Sequence, residues 1–339
     1  METTQREHTR TFCSGVLAFA LVVSTVSAQA EAPTPITEST TGKIWFMTAD
    51  KKTLLGDVFK KRVKLTDAIH GYLEFPEGPP RAKYPAMVLV HGSGGVNGGT
   101  VPEWAAYFRS LGLATFVIDA FEPRGISSTS TDQSQITYTA SGLDALAALK
   151  PLLNHPRIDP KKIGVIGFSR GGVAVQQASY KTFTRAMLKE GQQYALHLSL
   201  YGSCTLYGTT TGAPVLHFIG DKDGFTNVGL CPMYDKKLKD MGQANVQLFI
   251  YPGVRHGFDR KNQSSNLGRG AYTVENCFGG TNLDTLEFEV RGQKVSLSEF
   301  NAHRKACTTH DGAWYQGNRN ALDDMKRRGT EAVQTYLLK

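Results

Sequence analysis

Continuous apolar runs alternate with amphipathic ones through most of this chain. Residues 86–90, 114–118, 163–167, 195–201, 215–219 and 246–251 are short, largely apolar runs. Runs of this length with little polar alternation read as strands buried on both faces, the mark of a parallel sheet covered by helices. Between them lie stretches that suit helices: 101–111, 136–153 with Leu143, Leu146, Ala147 and Leu149 broadly on one face, 173–180, 230–241, and a closing helix over 320–338. Strand and helix alternating over this length predict an α/β fold, a mostly parallel doubly wound sheet with flanking helices. Residues 43–75 add short strand-like runs, and 76–85, with four prolines, reads as a loop.

Two regions break the rhythm. Residues 261–309 are rich in Gly and Asn, and are expected to be an irregular insertion, a lid or a contact surface. Inside it, 286–290 and 294–297 alternate in the manner of a hairpin joined by Arg291-Gly292-Gln293. At the other end, Arg6 and Arg10 precede an apolar run over 12–23, and Ala28-Gln29-Ala30 offers a small-x-small cleavage site. That pattern predicts a signal peptide over 1–30, cleaved after Ala30, and a secreted or periplasmic protein in which 31–339 forms one domain. The apolar run is short for a membrane span, so no stable membrane anchor is expected.

Composition adds little to this picture. The 40% hydrophobic and 20% charged residues are ordinary for a globular chain. The net charge of +8 is scattered in short clusters, without the long basic stripe that nucleic-acid binding requires. The cysteines matter more. Cys13 falls in the expected leader, leaving Cys204, Cys231, Cys277 and Cys307. An even number in an exported chain predicts two disulfides. Three pairings are possible, and the sequence-local one, Cys204–Cys231 with Cys277–Cys307, is favoured. Zinc ligation by Cys277, His303, Cys307 and His310 is the competing reading of the second pair; the disulfide is simpler.

The candidate chemistry sits where predicted strands end. Gly167-Phe168-Ser169-Arg170-Gly171 is a G-x-S-x-G pentapeptide between a strand and a helix. A sharp strand-to-helix turn lifts the serine hydroxyl above the sheet edge beside the first amides of a helix. A serine hydroxyl is a poor nucleophile and needs an imidazole to take its proton and a carboxylate to orient that imidazole. The strand over 246–251 leads into Arg255-His256-Gly257, making His256 the base. His91 competes, but its loop, His91–Gly95, is better suited to bind an oxyanion. The strand over 215–219 leads into Gly220-Asp221-Lys222-Asp223. Either aspartate could be the acid; Asp223, deeper in the loop, is preferred. The backbone amides of Ser93 and Arg170 are the expected oxyanion hole. Arg124 is a candidate contact for an acidic substrate. Such chemistry requires neither cofactor nor metal.

Several segments together resemble the dienelactone hydrolase branch of the α/β-hydrolases, and its secreted members most closely. They are IGVIGFSRGG at 163–172, Gly220-Asp221-Lys222-Asp223, YPGVRHGFD at 251–259, Asp119 to Gly125, and HPRIDP at 155–160. The resemblance spans roughly 71–259 and the final helix. It implies the α/β-hydrolase fold and a Ser169–His256–Asp223 triad, because in that branch the acid stands three residues after the turn glycine. Founding members carry a cysteine nucleophile where this chain has Ser169, and a glutamate in the loop where it has Gly92 and Ser93. The expected activity is hydrolysis of a small-molecule carboxylic ester or lactone. The alternatives are a peptidase of the prolyl-oligopeptidase-like type, disfavoured because no propeller-sized domain precedes the hydrolase region, or a non-catalytic binding protein on a hydrolase scaffold.

Overall fold

Strand alternation decides how the centre of this molecule packs. On β3 (Tyr84–Val90), Ala86, Val88 and Val90 point into one buried cluster, and Met87 and Leu89 into another on the opposite face. A strand with apolar residues on both sides must be sandwiched between layers, and the helices supply them. The computed structural model describes residues 1–2 and 31–339; the expected signal peptide and its cleavage site fall on residues outside the described ones.

In chain order, β1 (Gly42–Ala49), the short helix α1 (Leu55–Phe59) and β2 (Leu65–Glu74) lead into β3. Then come α2 (Val101–Ser110), β4 (Ala114–Asp119), α3 (Tyr138–Ala147), α4 (Leu149–Leu153), β5 (Ile158–Phe168), α5 (Arg170–Ser179) and α6 (Lys181–Met187). Next are β6 (Leu196–Leu200), β7 (Leu206–Tyr207), β8 (Val215–Gly220), α7 (Cys231–Asp240) and β9 (Val246–Tyr251). The insertion holds β10 (Asn266–Gly268), β11 (Gly279–Asn282), β12 (Glu287–Val290), β13 (Gln293–Val295) and α8 (Leu297–Cys307). β14 (Ala313–Tyr315) and α9 (Arg319–Val333), which runs on as a π-helical turn over Gln334–Leu338, close the chain.

The main sheet has eight strands in the order β1-β2-β4-β3-β5-β6-β8-β9. β2 is antiparallel to both its neighbours, and β4, β3, β5, β6, β8 and β9 are mutually parallel. Parallel pairing brings the carboxyl ends of these strands to one edge. Val90 lies beside Ile118 and Gly167, and Gly220 beside Tyr251, so the loops after β3, β5, β8 and β9 all leave the same side. From β3 the chain goes out to β4 and then returns to the other flank of β3 as β5. Loops that diverge at such a reversal open a crevice between them.

This is the mostly parallel α/β architecture expected from the strand and helix pattern, in the α/β-hydrolase-like form that the resemblance implies, with three local differences. The helix expected over 136–153 is two helices, because Pro151 has no amide to continue the hydrogen-bond ladder across the junction at Ala148. The short α1, which interrupts the strand-like stretch 43–75, and the short α6, β7 and β14 lie outside the expected elements. The region 261–309 is ordered into strands and a helix rather than irregular. β13, β12 and β11 form a small sheet whose edge pairs with β7, and β10 pairs with β14. The hairpin is present, with a tighter turn than expected: Arg291 and Gly292 both have positive φ, 52° and 79°, as a two-residue turn requires. Residue 297 begins α8 instead of ending a strand, and Ser296 and Glu299 form a reciprocal capping box there.

Both favoured disulfides are formed. Cys204–Cys231 ties the loop after β6 to the start of α7, and Cys277–Cys307 ties the approach to β11 to the last residue of α8. They close loops with sequence separations of 27 and 30 residues.

Candidate active site

Ser169 occupies the turn between β5 and α5 with φ 55° and ψ −114°, a conformation that side chains other than glycine rarely adopt. The turn survives because its neighbours are small. A Cβ on Gly167 would collide with the Gly171 carbonyl, and one on Gly171 with the Val90 carbonyl. The Ser169 amide donates to the Leu200 carbonyl at 3.0 Å, fixing the turn to the neighbouring strand.

The loops after β8 and β9 bring two partners to that serine. His256 Nε2 lies 2.9 Å from Ser169 Oγ, and His256 Nδ1 lies 2.6 Å from Asp223 Oδ2. His256 and Asp223 are both buried. The other Asp223 oxygen accepts the amides of Phe225 at 2.9 Å and Thr226 at 3.3 Å, so the carboxylate is held from both sides. Asp221 does something else. It is exposed, and its carboxylate accepts the Gly253 amide at 2.7 Å, stitching its turn to the histidine loop. The two aspartates offered by one turn thus divide: Asp223 contacts His256, and Asp221 holds the loop that carries it.

His256 is enclosed by rings. Tyr201 and Phe225 each lie 4.6 Å away by ring centroid, and Tyr315, from β14, lies 5.6 Å away. Tyr201 donates its hydroxyl to buried Asp259 at 2.8 Å, and Asp259 also accepts from Trp104 Nε1 at 2.8 Å and from Thr100. Burial, and then the adjoining Asp259 carboxylate, push the Tyr201 phenol well above its ordinary pKa, so it stays a neutral donor. This brace under the histidine was not legible in the sequence.

The loop after β3 presses against the serine turn: a Cβ on Gly92 would crowd the Phe168 carbonyl and Ser169 Cβ. Ser93 and Arg170 line the same cavity as Ser169 and His256. Their side chains meet through Gln133, whose Nε2 donates to Ser93 Oγ at 3.0 Å while its Oε1 accepts from Arg170 Nε at 2.9 Å. Arg170 is buried and, among the described residues, has no carboxylate partner. It also donates to the Ile136 carbonyl at 3.1 Å and Ser141 Oγ at 3.0 Å, and lies over the Tyr138 ring at 4.1 Å. Burial lowers its pKa from the ordinary guanidinium value. Gln133 had no signal in the sequence, sitting in a polar loop with nothing to mark it.

Two candidates are placed elsewhere. His91 does not face the serine. Its Nδ1 lies 2.8 Å from the Gly92 carbonyl and its Nε2 accepts the Ala120 amide at 3.1 Å, tying together the ends of β3 and β4. Burial lowers its pKa. Arg124 is the correction to the sequence reading. It does not line the cavity. Its guanidinium is buried against Asp67 at 2.7 Å and Asp144 at 2.7 Å, with the Ala49 and Ala120 carbonyls taking further donors. Burial alone would lower its pKa, but the two carboxylates more than offset this and raise it. A guanidinium satisfied in this way has no donor left for a substrate. In the tail, Cys277 and Cys307 are spent on each other, and His303 Nε2 accepts the Phe278 amide at 3.1 Å.

The cavity over Ser169 has a volume of about 1000 Å³. Its walls come from the loops after β3 and β5, from α1, and from the insertion.

Comparison with known proteins gives a consistent family placement. The pattern of the dienelactone hydrolase family matches residues 69–278, more than half of the chain and inclusive of Ser169, Asp223 and His256. A candidate dienelactone hydrolase from Klebsiella pneumoniae superimposes with a TM-score of 0.51 at 13% identity, covering 87% of this chain and 99% of its own. A dienelactone hydrolase-like promiscuous phosphotriesterase from metagenomic libraries gives 0.50 at 14% identity, with the same coverage. At these identities the likeness is one of fold. An uncharacterised Escherichia coli protein from the traX–finO intergenic region is 28% identical over 116 residues, which is 34% of this chain and 39% of that protein.

Proposed function

The chain belongs to the dienelactone hydrolase family, and from that membership we propose that it is an exported serine hydrolase that cleaves a carboxylic ester or lactone through an acyl-enzyme. The observation that carries this reading is the unbroken line Ser169 Oγ–His256 Nε2–Asp223, with bonds of 2.9 and 2.6 Å. In the reaction, Ser169 Oγ attacks the ester carbonyl as its proton passes to His256 Nε2. Asp223 holds the Nδ1–H, fixing the tautomer and stabilising the imidazolium that forms. The tetrahedral oxyanion is received by the backbone amides of Ser93 and Arg170, the latter at the first position of α5, where no intrahelical acceptor competes. Gln133 positions both residues by joining their side chains. Collapse of the intermediate passes the His256 proton to the leaving alkoxide. Water activated by the same imidazole then releases the acid and restores Ser169.

Two disulfides support an oxidising compartment, in keeping with the leader expected over 1–30. The test is hydrolysis of p-nitrophenyl esters and simple lactones by wild type and Ser169→Ala. Turnover by wild type that falls by at least ~10⁴-fold in the variant is expected. Equal rates from the two folded proteins would remove Ser169 from the mechanism.

A further inference from the structure

The cavity is much larger than the triad requires. At about 1000 Å³ it matches the upper end of pockets that hold drug-sized ligands, whereas an acetyl group would leave most of it to water. The additional wall carries six large apolar side chains: Leu54 and Leu55 from the start of α1, and Leu286, Phe288, Leu297 and Phe300 from the insertion, with Asp57, Lys60 and Arg304 among the polar groups beside them. Phe288 and Phe300 pack ring against ring at 5.1 Å, giving a firm surface. Two of these side chains face water. Leu54 is 61% exposed at the N-cap of α1, where a polar residue is the ordinary choice, and Leu297 is 53% exposed at the first position of α8, just after its Ser296 cap. Apolar side chains left open at the rim of a cavity, and continuous with its lining, are suited to receive an apolar ligand.

Most cations of this lining are engaged otherwise. Arg304 donates to the Tyr272 hydroxyl at 3.0 Å, Arg62 lies 3.7 Å from Asp57, and Arg260 lies over the Tyr315 ring at 4.7 Å. Lys60, at the end of α1, is exposed to water at the rim.

We propose that the insertion and α1 together form an acyl chamber, and that the preferred substrates are esters of medium-chain or longer aliphatic acids. This rests on the hydrolase reading above and adds to it the substrate class. Each methylene moved fully from water onto the wall contributes about a fourfold gain in kcat/KM. Between acetate and octanoate the gain should be on the order of a hundredfold, allowing for incomplete burial.

The experiment compares p-nitrophenyl acetate, butyrate, octanoate and decanoate with wild type, Leu54→Asp and Leu297→Asp. Both positions are exposed, so both variants should fold, checked by an unchanged Tm. The expected result is kcat/KM that rises with chain length in wild type and flattens in both variants, with acetate turnover unchanged. Acetate turnover that depends on Ser169 but does not rise with chain length would overturn the chamber and leave the hydrolase reading standing. A rise with chain length that both variants retain would place the chain elsewhere and overturn the assignment. Failure of folded wild type to hydrolyse any ester would overturn both readings.

Discussion

The strands that carry the proposed triad and the insertion that walls the cavity are built on different principles. Ser169 and Asp223 stand on loops after β5 and β8, strands in parallel register within the buried sheet, and His256 follows β9, the half-buried edge strand held in register by β8. The insertion is made of strands of three or four residues, a helix with a single buried side chain, Phe300, and the Cys277–Cys307 link. Burial fixes geometry in the first region, and a covalent tie substitutes for burial in the second. The family pattern, residues 69–278, takes in Ser169, Asp223 and His256 and ends inside the insertion. Part of the cavity wall, from α1 and from residues 281–304, lies outside the matched region.

The division can be tested at the acid. Asp223→Asn keeps the shape of the side chain but removes the carboxylate that fixes the His256 tautomer, so kcat should fall about 10⁴-fold in a p-nitrophenyl acetate assay. Asp221→Asn, two residues away, should change kcat by less than about threefold, since its partner is the Gly253 amide and an amide oxygen can still accept from it. Equal losses at the two positions would contradict the assignment of Asp223.

The covalent tie is the next target. Opening Cys277–Cys307 by a Cys277→Ser, Cys307→Ser double change releases a loop with a separation of 30 residues, worth roughly 3–4 kcal/mol in the chain-entropy account. That loss should be local. Hydrogen exchange should accelerate across 261–309 while β3, β5 and β8 keep their protection. Acceleration spread evenly over the main sheet would show that insertion and core are one cooperative unit.

Acid should act on the other region. Burial pushes His197 on β6 down to about 4 and His217 on β8 down to about 3, from an ordinary 6.5. Below pH 6.5 the unfolded chain gains protons on these imidazoles that the folded chain refuses. Stability is thus complete above pH 6.5 and is lost as the pH falls toward 4 and 3. By pH 4 each imidazole accounts for roughly 3 kcal/mol of that loss, and His217 for up to about 5 kcal/mol by pH 3. Tm measured from pH 7 to pH 4 should decline, and His217→Gln, which stays neutral, should recover part of the decline. An identical pH profile in the variant would remove His217 from the account.

The same contrast explains what the sequence disclosed. The run Ala86 to Val90, the pentapeptide around Ser169 and the order of Ser169, Asp223 and His256 were legible because each obeys a local rule, of strand burial, turn sterics or strand-end placement. Gln133, Asp259 and Tyr201 were not, because their roles exist only across long separations: Gln133 meets Arg170 37 residues away, and Asp259 meets Trp104 155 residues away. Arg124 misled for a related reason. An arginine on a loop at the correct sheet edge reads as a substrate contact until Asp67 and Asp144 are seen to enclose it. In the insertion, Gly279 and Gly280 give β11 no alternation to read, whereas the capping pair Ser296 and Glu299 is a local signal for the start of α8.

The central claim is that Ser169 is an activated nucleophile. Exposure of the intact protein to a fluorophosphonate probe, followed by mass analysis of its peptides, tests this most directly. The account predicts one adduct per chain, on Ser169, absent from Ser169→Ala and strongly slowed in Asp223→Asn. A folded wild type that stays unlabelled, or a label that persists in Ser169→Ala, would contradict it.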